Sequence, residues 1–246
     1  MKILVCVSKV PDTTSKITFK DENSVFNTDG VQFIMNPTDE WYALVRAIEL
    51  KEQHGGSVTL VNVGGAENDQ VIRKGLAVGA DDAVRINMDA TDAYQVAGQI
   101  ASYAKDQGYD LIIAGKETID YNGFEVGGML AEFMDLPYVA LATHMDVADG
   151  KATVNREIEG GEETVEISLP AVISAQKGMA EQRIPNMRGI MQARTKPLQV
   201  VDPSDVEALT GIAHYELPPA RSNVKLVDAD NIDELVNLLH NEAKAI

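Results

Sequence analysis

A chain with one cysteine cannot close an intrachain disulfide or build a cysteine-based metal cage, and Cys6 is the only one here. It stands inside the apolar run Ile3-Leu4-Val5-Cys6-Val7, where a small core residue is the expected role. Basic residues are scarce as well. Lys and Arg number 21 against 38 Asp and Glu, a formal charge of −17, which argues against general affinity for nucleic-acid phosphates or anionic lipid surfaces. No apolar run approaches the roughly 20 residues of a membrane span, and the first residues lack the charged, apolar and small-residue order of a secretory leader. The expectations are therefore no nucleic acid, no membrane insertion and a cytoplasmic location. Phosphate fingerprints are missing too: neither G-x-G-x-x-G nor a P-loop lysine occurs. His54, His144, His214 and His240 have no ligand spacing, so no metal is expected. No Ser, Cys or Lys has a candidate base beside it, which leaves covalent catalysis without support. Repeats and low-complexity tracts are absent.

With 45% hydrophobic residues in 246, the chain can bury a substantial core as one large α/β domain or as a domain with appendages. Over the first ~140 residues short β-rich apolar runs alternate with helical patterns, the signature of a parallel sheet covered on both faces. Lys2 to Val7 is the first strand. Asn36-Pro37-Thr38-Asp39 reads as a helix start, with Asn36 as cap, Pro37 in the first turn and Asp39 favoured by the helix dipole. Trp41, Leu44, Val45 and Ile48 then make one apolar stripe, and Gly55-Gly56 stop the helix before strand Val58 to Val63. A helix through Val71, Ile72 and Leu76 ends at Gly79, and strand Ala83 to Ile86 follows. A helix through Tyr94, Val96, Ala97 and Ile100 leads to strand Leu111 to Ala114, the fourth parallel strand of this count.

After Pro137, Val147 to Ile158 and Thr164 to Leu169 are alternating segments joined by the turn Gly160-Gly161, a hairpin appended to the sheet. Lys177 to Lys196 reads as irregular and locally basic, with Lys177, Arg183, Arg188, Arg194 and Lys196 against Glu181, and is a candidate partner contact. Glu216 to Val227 shows little periodicity, whereas Ile232, Leu235, Val236 and Leu239 share one helical face. The fold class expected is α/β, a doubly wound, mostly parallel sheet with an appended β-hairpin and a C-terminal arm and helix.

In such a sheet ligands sit outside the carboxyl ends of the strands, where helix N-termini offer unpaired N–H groups to phosphate. Four loops qualify: Ser8 to Thr13, Asn36 to Asp39, Gly64-Gly65-Ala66, and Gly115 to Gly128. The last is richest, because Gly115, Gly123, Gly127 and Gly128 would let backbone approach a ligand closely. Turn-making alone is the competing explanation for these glycines. Asp12, Asp39 and Asp120 read as turn, cap and ribose contacts, since a carboxylate cluster facing a phosphate would be repulsive.

The runs Lys2 to Val7, Val10-Pro11-Asp12, Asp29-Gly30-Val31 and Met35-Asn36-Pro37 resemble the opening of electron transfer flavoprotein β subunits. Gly75-Leu76-Ala77-Val78-Gly79-Ala80-Asp81 is similar to that family's helix-to-strand turn, and Gly115-Lys116-Glu117-Thr118-Ile119-Asp120 to its nucleotide loop. Arg156 to Gly161, through Leu169-Pro170-Ala171-Val172, resembles its hairpin. Any one of these tetrapeptides is weak; in order they span nearly the whole chain.

The resemblance implies a Rossmann-like fold of the adenine nucleotide α-hydrolase kind, an electron carrier without its own substrate turnover, and a heterodimer. In that heterodimer an α subunit binds FAD, which carries the redox chemistry, while the β subunit holds AMP. Donors would be acyl-CoA or other dehydrogenases, and the acceptor an oxidoreductase of the kind that passes electrons from the flavoprotein to quinone. Matching positions would line the nucleotide site: Cys6, Asn36, Pro37, Thr38, Asp39, Val63, Gly115, Lys116, Glu117, Thr118, Ile119, Asp120, Gly123, Phe124, Glu125 and Val126. The docking loop would be Ser174 to Arg194, with Met179 as apolar anchor and Arg183 and Arg188 beside it; Leu235 would meet the α subunit. Residues 1–200 would form the nucleotide-binding domain with hairpin and docking loop, and 201–246 an arm and helix on the α subunit.

AMP-binding members carry an Asn-Gln-Thr run where this chain reads Phe124-Glu125-Val126. Val10-Pro11-Asp12-Thr13, Val126-Gly127 and Met187-Arg188-Gly189 are closer to members whose β site holds a second FAD and which split electron pairs between two acceptors. AMP is placed first and a second FAD is its alternative. A free-standing adenine-nucleotide sensor, comparable to universal stress proteins, shares the core but has no need for the hairpin, the basic loop or the detached C-terminal helix. A nucleotide-dependent ligase or hydrolase ranks last, because the phosphate signature and the nucleophile are both absent.

Overall fold

Alternation makes the first strand, β1 (Lys2–Cys6), two-faced: Ile3 and Val5 enter one hydrophobic cluster, Leu4 and Cys6 another, and all four are buried. The computed structural model describes residues 1–220 and 224–246. Short ladders follow, β2 (Lys9–Pro11), β3 (Phe19–Lys20), β4 (Val25–Phe26) and β5 (Phe33–Met35), with β2 antiparallel to β5 and β3 to β4. The wound core then runs α1 (Asp39–His54), β6 (Ser57–Val63), α2 (Asp69–Val78), β7 (Asp82–Ile86), α3 (Ala93–Ala104), β8 (Leu111–Gly115) and α4 (Val126–Met134). Next come β9 (Tyr138–Ala148), β10 (Lys151–Ile158), β11 (Gly161–Ser168), β12 (Ala171–Ala175), α5 (Met187–Ala193) and β13 (Leu198–Val201). Further on, α6 (Ile232–Asn237) continues into a π-helical turn, Leu238–Glu242.

One nine-stranded sheet has the order β11-β10-β9-β12-β8-β1-β6-β7-β13. Every pairing from β9 through β12, β8, β1, β6 and β7 to β13 is parallel; β10 and β11 close the other edge antiparallel. Leu44 and Ile48 of α1, Ile72 and Leu76 of α2 and Ala193 of α5 cover the face of Ile3 and Val5. Ala97 and Ile100 of α3 and Leu130 of α4 cover the face of Leu4 and Cys6. Each fully buried Val, Leu or Ile contributes about 1.5–3 kcal/mol, so the two layers are held chiefly by apolar burial. The doubly wound α/β class follows directly from this arrangement.

The sheet is larger than four parallel strands. Ala171–Ala175 is a wholly buried strand wedged between β8 and β9, with no polar alternation to announce it. The appended part is three-stranded: Val147 to Ile158 is broken by a turn at Asp149-Gly150, both at positive φ, so that β9 ends and β10 begins within it. Leu141 lies at φ 60° where the register of β9 against β12 slips, and the register against β10 slips two residues on, at Thr143, so β9 is bulged there. The stretch Lys177 to Lys196 contains α5, capped by Asn186, whose side chain accepts from Gly189 N. Arg73 donates to Ala193 O at 2.8 Å, and Lys196 donates to Leu76 O at 2.9 Å and to Ala80 O, tying this stretch to α2.

Beyond β13 the chain crosses α3. Gln99 exchanges two bonds with the Ser204 backbone, Nε2 to O at 2.7 Å and N to Oε1 at 2.8 Å, and Gln95 donates to Val206 O. A Cβ on Gly98 would lie 2.7 Å from Val206 Cγ1, so glycine lets the arm lie close on the helix. Tyr215 then stacks on Phe19, centroids 4.8 Å apart and rings within 11° of parallel. Of the aperiodic stretch Glu216 to Val227, residues 221–223 lie outside the described residues.

Candidate nucleotide site

Strand order reverses at β1: the chain winds outward through β6 and β7, then returns to place β8 on the other side. The carboxyl ends of β1 and β8 diverge there, which is where open α/β sheets accept ligands. A cavity of about 420 Å³ occupies the crevice, inside the ~300–1,000 Å³ typical of small-molecule sites. Its walls come from Cys6 to Val10, Glu40, Val61 to Val63, Ala90 to Ala93, Ala114 to Thr118, Asp120, Tyr121, Gly123 to Val126, and Thr210 to Ile212.

Several expected residues meet at this wall: Cys6, Val63, Gly115, Lys116, Glu117, Thr118, Asp120, Gly123, Phe124, Glu125 and Val126. Asn36, Pro37, Thr38, Asp39 and Ile119 do not line it. Asn36 is not the helix cap expected of it. The N-cap of α1 is Thr38, which makes no side-chain cap bond, and Asn36 is fully buried one layer behind the cavity. There its Nδ2 donates to Glu117 O at 2.9 Å and its Oδ1 accepts from Ile119 N at 3.3 Å, fixing the loop after β8 from beneath. Pro37 O accepts from Gln182 Nε2. Within the loop Asn122 and Phe124 adopt φ of 51° and 57°, a left-handed conformation uncommon for residues other than glycine.

Glu40, absent from the sequence expectations, is the most buried acid at the wall. It is 6% exposed, and its carboxyl accepts from Ser8 N at 2.7 Å and from Ser8 Oγ at 2.6 Å. Gly115 permits this: a Cβ there would stand 2.8 Å from Glu40 Cγ and 3.0 Å from Glu40 N. Burial pushes the Glu40 carboxyl up to about 8 and, with weaker opposition from Lys116, the Asp39 carboxyl up to about 6. Burial also raises the Cys6 thiol, followed by the charge of Glu40, so Cys6 is an inert wall atom. Lys116 is held up mainly by its hydrogen bond to Glu117, 2.8 Å away, and Lys9 pairs with Glu67 at 3.0 Å. The lysines at the wall are thus already engaged by carboxylates.

A strap crosses the mouth. Asp92 caps α3 by accepting from Gln95 N at 2.7 Å, and its other oxygen accepts from Leu209 N at 2.6 Å and Thr210 N at 2.8 Å. This holds Thr210 to Ile212 against the cavity. An aspartate just ahead of the Tyr94 helix is an N-cap signal that sequence reading passed over.

The residues assigned to docking separate. Met179 is 2% exposed and belongs to the core cluster, so it is a buried loop residue here and not an exposed anchor. Arg183 forms a two-pronged pair with Glu52 at 2.8 Å, and its carbonyl accepts from Trp41 Nε1. Arg188 is exposed on α5 beside Ile184, Met187 and Met191, apolar side chains that are 89%, 74% and 67% exposed. Leu235 is 46% exposed on α6. His54, His144, His214 and His240 are all exposed, and no acidic, histidine or cysteine cluster suited to a metal occurs among the described residues. No helix among them is long and apolar enough to cross a membrane.

Residues 23–206 match the electron transfer flavoprotein domain family. The chain is 37% identical to the electron transfer flavoprotein subunit beta of Bacillus subtilis over the full length of both. It is 36% identical to the protein of that name from Syntrophomonas wolfei, over 94% of this chain and 92% of the relative. The human protein of that name is 34% identical over 90% and 91%. A family match across most of the sheet, together with end-to-end similarity to β subunits, places this chain in the electron transfer flavoprotein β-subunit family.

Proposed function

We propose that this chain is the nucleotide-holding half of a heterodimeric electron carrier. Its switch-point cavity takes an adenine nucleotide, AMP in first place, and its outer surface helps a larger α subunit hold FAD. The observation that carries this reading is the cavity itself, built where β1 and β8 part and roofed by the loop Gly115 to Val126. With Lys9 and Lys116 already paired, a phosphate there would be met by backbone N–H groups. The start of α4 supplies them: Glu125 makes no side-chain cap bond, leaving the first N–H groups at Val126, Gly127 and Gly128 without a cap.

FAD, when bound between the subunits, supplies the redox chemistry, and this chain contributes position and shielding. Exposed Ile184, Met187, Met191 and Arg188 form the surface we assign to electron-donating dehydrogenases, and a quinone-linked oxidoreductase is the acceptor class. The loop Phe124-Glu125-Val126 offers no hydroxyl to a monophosphate, and this favours a second FAD as the alternative occupant. Denaturing the purified heterodimer and recording the spectrum of the released nucleotide decides between them. AMP predicts one flavin per heterodimer with an equal amount of a colourless adenine nucleotide. Two flavins per heterodimer sink AMP, and no adenine nucleotide beyond the shared FAD sinks the cavity assignment.

A further inference from the structure

Glu40 is a carboxyl group enclosed by protein, on the wall of the cavity; among the described residues no Lys or Arg is paired to it, and its hydrogen-bond donors are the N–H and Oγ of Ser8. A buried acid without a cation is a costly arrangement unless other donors complete it. The charged neighbours do not supply them. Asp39 and Asp120 bear on it as further negative charge, and Lys116 is turned to Glu117. Gly115 has given up its side chain so that Glu40 can stand at this point.

The two Ser8 bonds also fix the direction of the group, because each carboxyl oxygen accepts one of them. In the ionised group one acceptor position therefore remains on each oxygen, side by side. Two adjacent hydroxyls of one ligand match that pair. The phosphate of a nucleotide is repelled from such a place, and so is the ring N1 acceptor that accompanies the 6-amino group of adenine. Neutral vicinal O–H donors are not. From this geometry we infer that Glu40 is a specificity residue that receives the 2′- and 3′-hydroxyls of the nucleotide ribose, with Ser8 as its positioning residue. The inference rests on the adenine-nucleotide reading of the cavity, and it holds equally for AMP and for the adenosine half of FAD, which carry the same diol.

The test uses the purified heterodimer of full-length chains, freed of nucleotide and equilibrated with radiolabelled AMP at pH 9, where the Glu40 carboxyl is ionised. Displacement is measured with AMP, 2′-deoxy-AMP, 3′-deoxy-AMP and IMP. Loss of one hydrogen bond to a charged acceptor weakens binding by about tenfold or more, so each deoxy analogue is expected to displace at least that much less effectively than AMP. Glu40→Gln should bring AMP to within about threefold of both deoxy analogues, while its preference for AMP over IMP stays as in the wild type. Ser8→Ala, which keeps the acid and frees its orientation, should narrow the ribose discrimination part of the way and stands in if Glu40→Gln does not assemble. Undiminished ribose discrimination in Glu40→Gln overturns the inference, as does an equal weakening of AMP and the deoxy analogues, the mark of a structural role alone. A change confined to the preference over IMP overturns it in favour of base recognition. Failure of the wild-type heterodimer to hold labelled AMP at all sinks the cavity reading itself, which keeps the two failures distinct.

Discussion

Glu40 shows how a single residue can tie stability to the site. Its carboxyl rises from an ordinary 4.5 to about 8 in the folded chain. Between those limits the native state holds a proton that the unfolded chain has released. Stability from this group is therefore complete below pH 4.5 and is lost as pH climbs through 8. Asp39, raised from 3.8 to about 6, acts in the same sense over a lower window. The lowered acids Asp12, Glu52, Glu67 and Asp92 act below their ordinary values and do not enter. Denaturant midpoints should thus fall between pH 6 and pH 8, and Glu40→Gln should flatten that interval; an unchanged slope in the variant would refute the assignment. Sequence alone located the neighbourhood but not the roles. Asn36 has the composition of a cap, and only the fold shows that it props the Glu117 to Ile119 loop. Glu40 looks like an ordinary first-turn acid until Gly115, 75 positions away in the chain, brings β8 against it.

At the scale of elements, local patterns carried the wound core and failed where a strand or a connection owes its place to tertiary neighbours. The βαβ units through β8 were legible because stripes at 3.6-residue spacing and glycine stops follow from local geometry. Strand β12 was not, since its insertion between β8 and β9 depends on pairing with distant segments. The strap over the cavity was equally hidden, being a run without periodicity that gains its place from hydrogen bonds to α3. Asp92 is the fastening, joining the cap of α3 to Leu209 and Thr210. Asp92→Ala should therefore release bound nucleotide severalfold faster and expose residues 202–220 to limited proteolysis, while the sheet stays folded. Dissociation followed by filter binding, with the digestion pattern alongside, checks this. Nucleotide release at the wild-type rate would show that the strap does not retain the ligand.

For the whole molecule the telling contrast lies between a core covered on both faces and a C-terminal helix whose apolar face is exposed. No residue of α6 or of the π-helical turn after it is buried, and Ile232, Leu235 and Val236 are 65%, 46% and 46% exposed on a helix whose polar cap, Asn231, is well formed. A short helix with few internal bonds is marginal in water and needs a surface to bury its apolar face. Since none of the described residues buries it, we assign that surface to the α subunit and treat residues 201–246 as the arm that reaches it. Covering a leucine fully contributes about 1.5–3 kcal/mol, so Leu235→Asp should weaken heterodimer affinity roughly 10- to 100-fold. The fold of the chain itself should be untouched, because the substituted side chain contributes nothing to either hydrophobic layer. Co-purification of the two subunits from one host, with thermal unfolding of the variant as control, reads both effects. Recovery of α and Leu235→Asp β in equal amounts at nanomolar concentration would move the subunit boundary away from this helix.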